Sequence, residues 1–371
     1  MSLSDFRNKV NARGDYWLFV FGIVLALIGL MMILSSSVVI SFERFNTNYY
    51  YVIRQSIYFA VAIVFFLITS NINYRYWQTK AVALLIISLV FLLAVFIPGI
   101  GLHLSGAQRW ISLGPILIQP SEIIKLTFVL YLAAWLESRR GYLHHLSEGL
   151  LPFAILLLII VFLIIKQPDM GTVMIITLVA GVMFYLAEAP MAYIFGGLLV
   201  GFLLFMFLIR ISPYRMERLT TYLNPSQDSL DSGYQISQSM LAIGSGGLWG
   251  LGFGNSMQKY LYLPQAHSDA IFAITVEELG FIRTVIILAI FVFLILRLFK
   301  ILNQTHEPFA RLVVGGVLSW IAFQTIINIS AISGLVPLTG IPLPFISSGG
   351  SSLVMLFAGL GIVYNISKYH G

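Results

Sequence analysis

Residues 261–280 read LYLPQAHSDAIFAITVEELG. A long polar stretch ends here and an apolar helix begins, with one carboxylate, Asp269, at the junction. The chain stays apolar through IILAIFVFLILRLF at residues 286–299, and a helix needs about 20 such residues to cross the hydrocarbon core of a bilayer. A charge at a membrane boundary is costly unless it has a partner or a task. Gln265, His267 and Ser268 crowd hydrogen-bonding groups around Asp269, which makes this junction the first candidate for chemistry.

The rest of the 371-residue chain agrees with that reading. It is 59% hydrophobic and 10% charged, with a mean hydropathy of +0.93. A soluble domain carries about 25% charged residues, so this composition leaves too little polar surface for a water-soluble fold. Long unbroken apolar runs, rather than alternation, point to helices and not to a barrel. With no cysteine in the sequence, disulfides and thiolate metal sites are excluded. Arg7, Lys9 and Arg13 precede an apolar run far longer than the core of a cleavable signal, which reads as a signal-anchor first span. The net charge is +6. The basic residues sit in short loops between spans, where they act as topology signals, so nucleic acid is not expected as a partner.

The expected fold is an all-α integral membrane protein of ten transmembrane helices, at about 16–37, 51–70, 80–98, 119–137, 150–165, 170–188, 191–210, 270–298, 309–332 and 348–367. Residues 1–371 form one polytopic domain with a large extracytoplasmic loop, about 211–269, between helices 7 and 8. Arg75, Lys80, Arg139, Arg140, Arg297, Lys300, Arg311 and Lys368 fall on one side if the N-terminus is inside. The positive-inside rule then places both termini in the cytoplasm. Within the loop, PYRMERLTTYL at 213–223 reads as a short amphipathic helix, with Arg215 and Arg218 neighbours on one face. SGYQISQSMLAIG at 232–244 reads as an interfacial helix, and the glycine-rich run after it as turns or as an amide nest for an anion.

Several further charges sit at span edges. Glu122 and Lys125 open the fourth span three residues apart, so they can pair on one face or line a polar cavity. Arg109, beside the interfacial Trp110, has the planar fork that suits a phosphate. Lys166 and Asp169 share a very short turn, where they either satisfy each other or face the Asp269 cavity. Glu277 and Glu278 point about 80° and 180° away from Asp269 around the helix, and one or both are expected to bond neighbouring helices. Gln324 and Asn328 read as interhelical glue. The proline-rich GLVPLTGIPLPFISSGGSS at 334–352 cannot be one helix and is expected to re-enter near the outer mouth.

Taken in order, these blocks resemble the SEDS family of cell-wall polymerases, FtsW, RodA and SpoVE. GFGNSMQKYLYLPQAHSDAIFAITVEELG, AQRWISLGPILIQPSEIIK, KQPDMGT, YLNPSQDSLDSGYQISQSMLAIGSGGLWG and GIPLPFISSGGSS carry the likeness over most of the chain. NSMQKYLYLP and IGSGG lean toward the FtsW branch. The signature departs from the family's pattern: Gln265 stands where an acid is usual, Ser268 for threonine, Ala270 for phenylalanine, and Ser348 for tyrosine.

The resemblance implies a peptidoglycan glycosyltransferase, inverting, that polymerises lipid II at the outer face of the bacterial cytoplasmic membrane in division or cell-shape maintenance. It implies Asp269 as general base and, as substrate-binding groups, Arg109, Glu122, Lys125, Lys166, Asp169, Arg215, Arg218, Gln265, His267 and Ser268. A divalent cation, Mg or Mn, beside Asp269 is a further expectation, with no organic cofactor. The implied partners are lipid II, membrane lipid and a class B penicillin-binding protein, a transpeptidase. Two rivals from other classes are a lipid-precursor flippase or transporter, and a non-catalytic scaffold of the division machinery.

Overall fold

The computed structural model describes the chain except for residues 1–13, 105–106, 115, 146–148, 150, 212, 224–231 and 370–371. Arg7, Lys9 and Arg13, expected to flank the first span, therefore lie outside the described residues. The chain runs α1 (Trp17–Phe45), α2 (Tyr50–Asn71), α3 (Tyr74–Ala94), β1 (Gly101–Leu104), β2 (Ala107–Leu113), β3 (Ile116–Ile118) and α4 (Pro120–Ser138). It continues with α5 (Leu151–Lys166), α6 (Met170–Leu186), α7 (Met191–Ile211), α8 (Pro213–Leu223) and α9 (Ser232–Ser245). The last three helices are α10 (Ile271–Gln304), α11 (Pro308–Ile332) and α12 (Gly350–Ser367).

Seven of these helices, α1, α2, α3, α7, α10, α11 and α12, are long and apolar enough to cross a membrane. The remaining three expected spans correspond to α4, with Glu122, Lys125 and Glu137 along its 19 residues, and to the apolar α5 and α6 of 16 and 17 residues. The third helix begins at Tyr74, earlier than the hydropathy suggested, because the Asn73 side chain accepts the Arg75 amide at 3.0 Å and caps it. Residues 101–118, read as loop, form a three-stranded antiparallel sheet in the order β1-β2-β3. Alternation explains it: Ala107 and Ile111 are buried on one side of β2 while Ser112 is exposed.

The core is built on α10, α11 and α12, with α12 against α2, α10 against α1, and α11 against α4 and α6. Close approach of α12 to α2 needs Gly361, where any Cβ would overlap Thr69 Oγ1. Polar side chains tie the helices. Ser88 and Thr127 hydroxyls join α3 to α4 at 2.8 Å, and Asn365 accepts the Tyr74 amide at 2.9 Å and donates to Ser70 O at 3.0 Å. Both ends of the described chain meet at one end of the bundle, where the Asp15 amide donates to Ser367 Oγ at 2.9 Å. By contrast, almost none of the apolar window of α7 is buried, 6% against 78% for α12.

One element decides where the site sits. α10 is broken at Gly280, whose backbone has φ 79° and ψ 175°. The glycine-rich segment after α9 fills the break: Leu251 N and Gly252 N donate to the carbonyls of Glu277 and Glu278 at 2.9 and 3.0 Å. In return, Phe281 N and Ile282 N donate to Gly247 O and Leu248 O at 2.9 and 3.2 Å. Two amides of this run, Leu251 and Gly252, are thus spent on the open carbonyls of a broken helix rather than on an anion. Interrupted backbone at membrane depth is tolerated only with such replacement partners.

Candidate active site

The segment between the glycine-rich plug and α10 delivers Asp269 to a cavity of about 600 Å³. Charged side chains below it fix the segment's path. Glu277 accepts the Met257 amide at 2.9 Å and the Ser256 hydroxyl. Glu278 accepts Ser35 Oγ of α1 at 2.6 Å and pairs with Lys259 at 3.2 Å, both partners buried. Glu278 holds the loop onto α1, the interhelical role expected of one or both carboxylates, while Glu277 bonds the loop itself.

Asp269 itself is suspended from α11. Asn328 Nδ2 donates to the Asp269 carbonyl at 2.9 Å and to Ile341 O at 2.7 Å, so one amide locks the signature loop to the re-entrant segment. Gln324, one turn earlier, donates to Pro342 O at 2.9 Å and accepts Lys125 Nζ at 3.1 Å and Trp320 Nε1 at 2.7 Å. A Cβ built on Gly340 would stand 3.6 Å from Asp269 Oδ2, so glycine backbone lies beside the carboxylate.

Of the residues expected at the site, Asp269, Ser268, Gln265, Arg109 and Arg218 line the cavity. Among the described residues, Asp269 is its single carboxylate and the two arginines its cations. Burial pushes the Asp269 carboxyl above the ordinary carboxylate value, opposed by hydrogen bonds from its own backbone and Ser268 and by the Arg218 and Arg109 charges. Arg109 is fixed by donating from Nε to Gln167 O at 2.7 Å and from Nη2 to Pro168 O. Arg218, on the amphipathic α8, donates to Leu338 O at 3.1 Å. The Arg215 side chain lies outside the described residues; its backbone belongs to α8.

The other candidates are placed elsewhere. Glu122 and Lys125 form a buried ion pair at 2.7 Å, completed by Gln324 and by Trp320, whose ring centroid lies 5.2 Å from Lys125 Nζ. They support the wall behind the cavity and are not among its lining residues. Asp169 caps α6, accepting the Thr172 amide at 3.1 Å and the hydroxyls of Thr172 and Ser121 at 2.9 and 3.1 Å. Lys166 is exposed and lies over the Phe162 ring. The His267 ring packs on Tyr51 with centroids 4.4 Å apart. Burial, with Arg44 adding to it, lowers its pKa to about 4, so it is neutral at pH 7. Among the described residues no three of His, Asp or Glu gather to hold a metal ion.

Sequence reasoning did not single out Gln119, Thr339, Ser351 or Ser352, which also line the cavity. The signal for the last three was the proline- and serine-rich re-entrant block itself. Apolar Met170, Met174, Phe205 and Met206 of α6 and α7 complete the lining, which therefore joins a charged region to a hydrocarbon-like one.

A family model described as Cell cycle protein, covering FtsW, RodA and SpoVE, matches residues 16–371. The chain belongs to the FtsW/RodA/SpoVE family. The stage V sporulation protein E of Bacillus subtilis is 39% identical to it over 357 residues, 96% of this chain and 97% of that protein. A probable peptidoglycan glycosyltransferase FtsW of Trichlorobacter lovleyi is 37% identical over 356 residues, 96% and 93% of the two chains. Among solved structures, a chain from work on the structural coordination of polymerization and crosslinking by a peptidoglycan synthase complex matches with a TM-score of 0.79 and 26% identity. That match covers 96% of this chain and 99% of that one. Family membership and the apolar helices make this a multi-pass membrane protein.

Proposed function

We propose that this chain is a peptidoglycan glycosyltransferase that polymerises lipid II at the outer face of the bacterial cytoplasmic membrane. The observation that carries the reading is the cavity's charge pattern: among the described residues, one carboxylate, Asp269, faces a space that two arginines share. Asp269 acts as general base, removing the proton of the GlcNAc 4-hydroxyl of the acceptor. The freed oxygen attacks C1 of the donor MurNAc with inversion. The C1–O bond breaks and undecaprenyl pyrophosphate leaves with the electron pair. A carboxyl with a raised pKa is the better base for such a proton. The leaving pyrophosphate is already anionic, so it needs compensating charge more than an acid, and Arg109 and Arg218 supply it. The apolar wall from α6 and α7 suits the polyprenyl chain.

A divalent cation fits with limits. With one carboxylate lining the cavity, Mg²⁺ or Mn²⁺ would be held by Asp269 together with substrate phosphates and water, the manner in which magnesium usually binds. It would neutralise charge on the pyrophosphate. Ten spans and cytoplasmic termini follow if α4, α5 and α6 also cross. The meeting of the two chain ends at one end of the bundle supports a shared side for both termini, and the basic loops favour the cytoplasm for that side. The structural neighbour's peptidoglycan synthase complex supports a class B penicillin-binding protein as the partner that crosslinks the product.

The test is polymerisation of labelled lipid II by purified protein, with and without the transpeptidase and divalent ions. Asp269→Asn is expected to abolish polymer at unchanged folding, because the amide keeps the shape and cannot take the proton. Polymer at near wild-type rate would remove Asp269 from the base role. Lipid flipping in liposomes with no polymer formed would favour transport.

A further inference from the structure

The charged rim of the cavity accounts for Asp269, Arg109 and Arg218. It leaves unexplained the serine-rich turn that forms another part of the lining. α12 begins at Gly350, and its N-cap, Gly349, offers no side-chain cap. The first bond of the helix runs from Leu353 N to Gly349 O at 2.9 Å. The amides of residues 350–352 are therefore the orphan donors of a helix start, at the positive end of an 18-residue helix.

Ser352 stands in this turn. It is 6% exposed, it lines the cavity, and its Oγ has no hydrogen-bond partner. A buried hydroxyl with nothing to bond is a cost to folding unless a ligand completes it. Its neighbours are already committed. Ser351 Oγ accepts the Gln119 amide at 3.0 Å, Ser348 N donates to His267 O at 3.1 Å, and Gly349 N donates to Gln55 Oε1 at 3.3 Å. Thr339 Oγ1, from the re-entrant segment, is likewise without a partner and belongs to a residue lining the same cavity. Hydroxyls and helix-start amides are the donor set that phosphate oxygens, which only accept, require. Among the described residues the lining is net positive, two guanidiniums against one carboxylate, which favours the same class of ligand.

We propose that the first turn of α12, through Ser352 Oγ and the amides of residues 350–352, is a phosphate subsite that grips the pyrophosphate of the lipid-linked substrate. The assignment rests on the polymerase reading and adds to it the protein groups that hold the leaving group, beyond the arginines.

The experiment uses the full-length protein with Ser352→Ala and Ser352→Asp. Initial rates are measured against lipid II concentration, with undecaprenyl pyrophosphate and undecaprenyl monophosphate as added inhibitors, and thermal unfolding is followed in parallel. Ser352→Ala is expected to raise KM and weaken inhibition by the pyrophosphate about tenfold, the value of one charge-assisted hydrogen bond, without lowering Tm. Ser352→Asp should repel the phosphate and weaken inhibition further than Ser352→Ala does. A serine that only supports the fold would shift Tm and leave KM and inhibition at wild-type values; that result overturns the subsite. If wild-type protein makes no polymer, the polymerase reading fails on its own. Direct binding of undecaprenyl pyrophosphate to the wild type and to Ser352→Ala then decides the subsite: equal affinity rules it out, and about tenfold weaker binding by the variant upholds it.

Discussion

Asp269 and His267 stand two positions apart and are pushed in opposite directions by the same cause. Burial raises the carboxyl of the first and lowers the imidazole of the second to about 4. At neutral pH the imidazole therefore carries no charge, and with Asp269 as the proposed base the acid limb of activity is expected to belong to it. Because its pKa lies above the usual 3.8, the rate should fall on acidification with a midpoint above that value, and the limb should persist in His267→Gln. Stability has a separate signature. The folded pKa of His267 is below its unfolded value, so the unfolded state binds more protons between pH 6.5 and about 4. Stability is complete above pH 6.5, declines as pH falls through that window, and is constant below it, by at most about 3 kcal/mol. Tm measured against pH should show that loss in the wild type and a flatter profile in His267→Gln. An unchanged slope would mean that the ring is not buried neutral.

At the scale of elements, the break in α10 is the point of greatest constraint. Gly280 has φ 79° and ψ 175°, and a Cβ there would overlap Gly250 N and the Trp249 carbonyl carbon. That backbone region is essentially closed to other residues, at about 1–3 kcal/mol before any clash. Gly280→Ala should therefore lower Tm steeply or abolish folded protein. Gly254→Ala, at φ 83° with nothing within 4 Å of the added Cβ, should cost only about 1 kcal/mol. Equal losses for the two would show that the plug does not depend on close approach. The amino-acid order revealed only part of this arrangement. An apolar run declares a helix because burial in lipid demands about 20 such residues, and Glu122–Lys125 was legible as an i,i+3 pair because helical geometry alone brings it together. The Asp269 boundary was legible because charge there is exceptional. The contact between Gly250 and Gly280 was not, since it joins two glycines 30 positions apart whose separate readings are simply turn and helix. Nor was Ser352, a small polar residue in a run of them, whose significance appears only when Ser348, Gly349 and Ser351 beside it are found to have partners while its own hydroxyl has none.

For the whole molecule, orientation is the property that the proposed chemistry most requires, since substrate and site must share one face. The sequence contains no cysteine, so single introduced thiols report without background. Leu335, 69% exposed at the cavity end beyond α11, and Ser138, exposed at the far end of α4, sit at opposite ends of the bundle. In intact cells Leu335→Cys should react with a membrane-impermeant maleimide, and Ser138→Cys should react only after permeabilisation. The reverse pattern would place the cavity in the cytoplasm and end the case for an outer-face polymerase.

The interruption at Gly280 also bears on how the protein can change over time. Below it lies a membrane anchor, Phe281 onward; above it lies the short piece that carries the tool. The two are joined through Gly280 and through main-chain bonds to the 247–252 segment, so the angle between them is set at that joint. Side chains buried on the anchor, Phe291, Leu294 and Leu298, pack into the bundle, while the aim of Asp269 is set on the other side of the joint by Asn328. The weak point moves to the joint, where drift at either glycine has to wait for a matching rearrangement in the other.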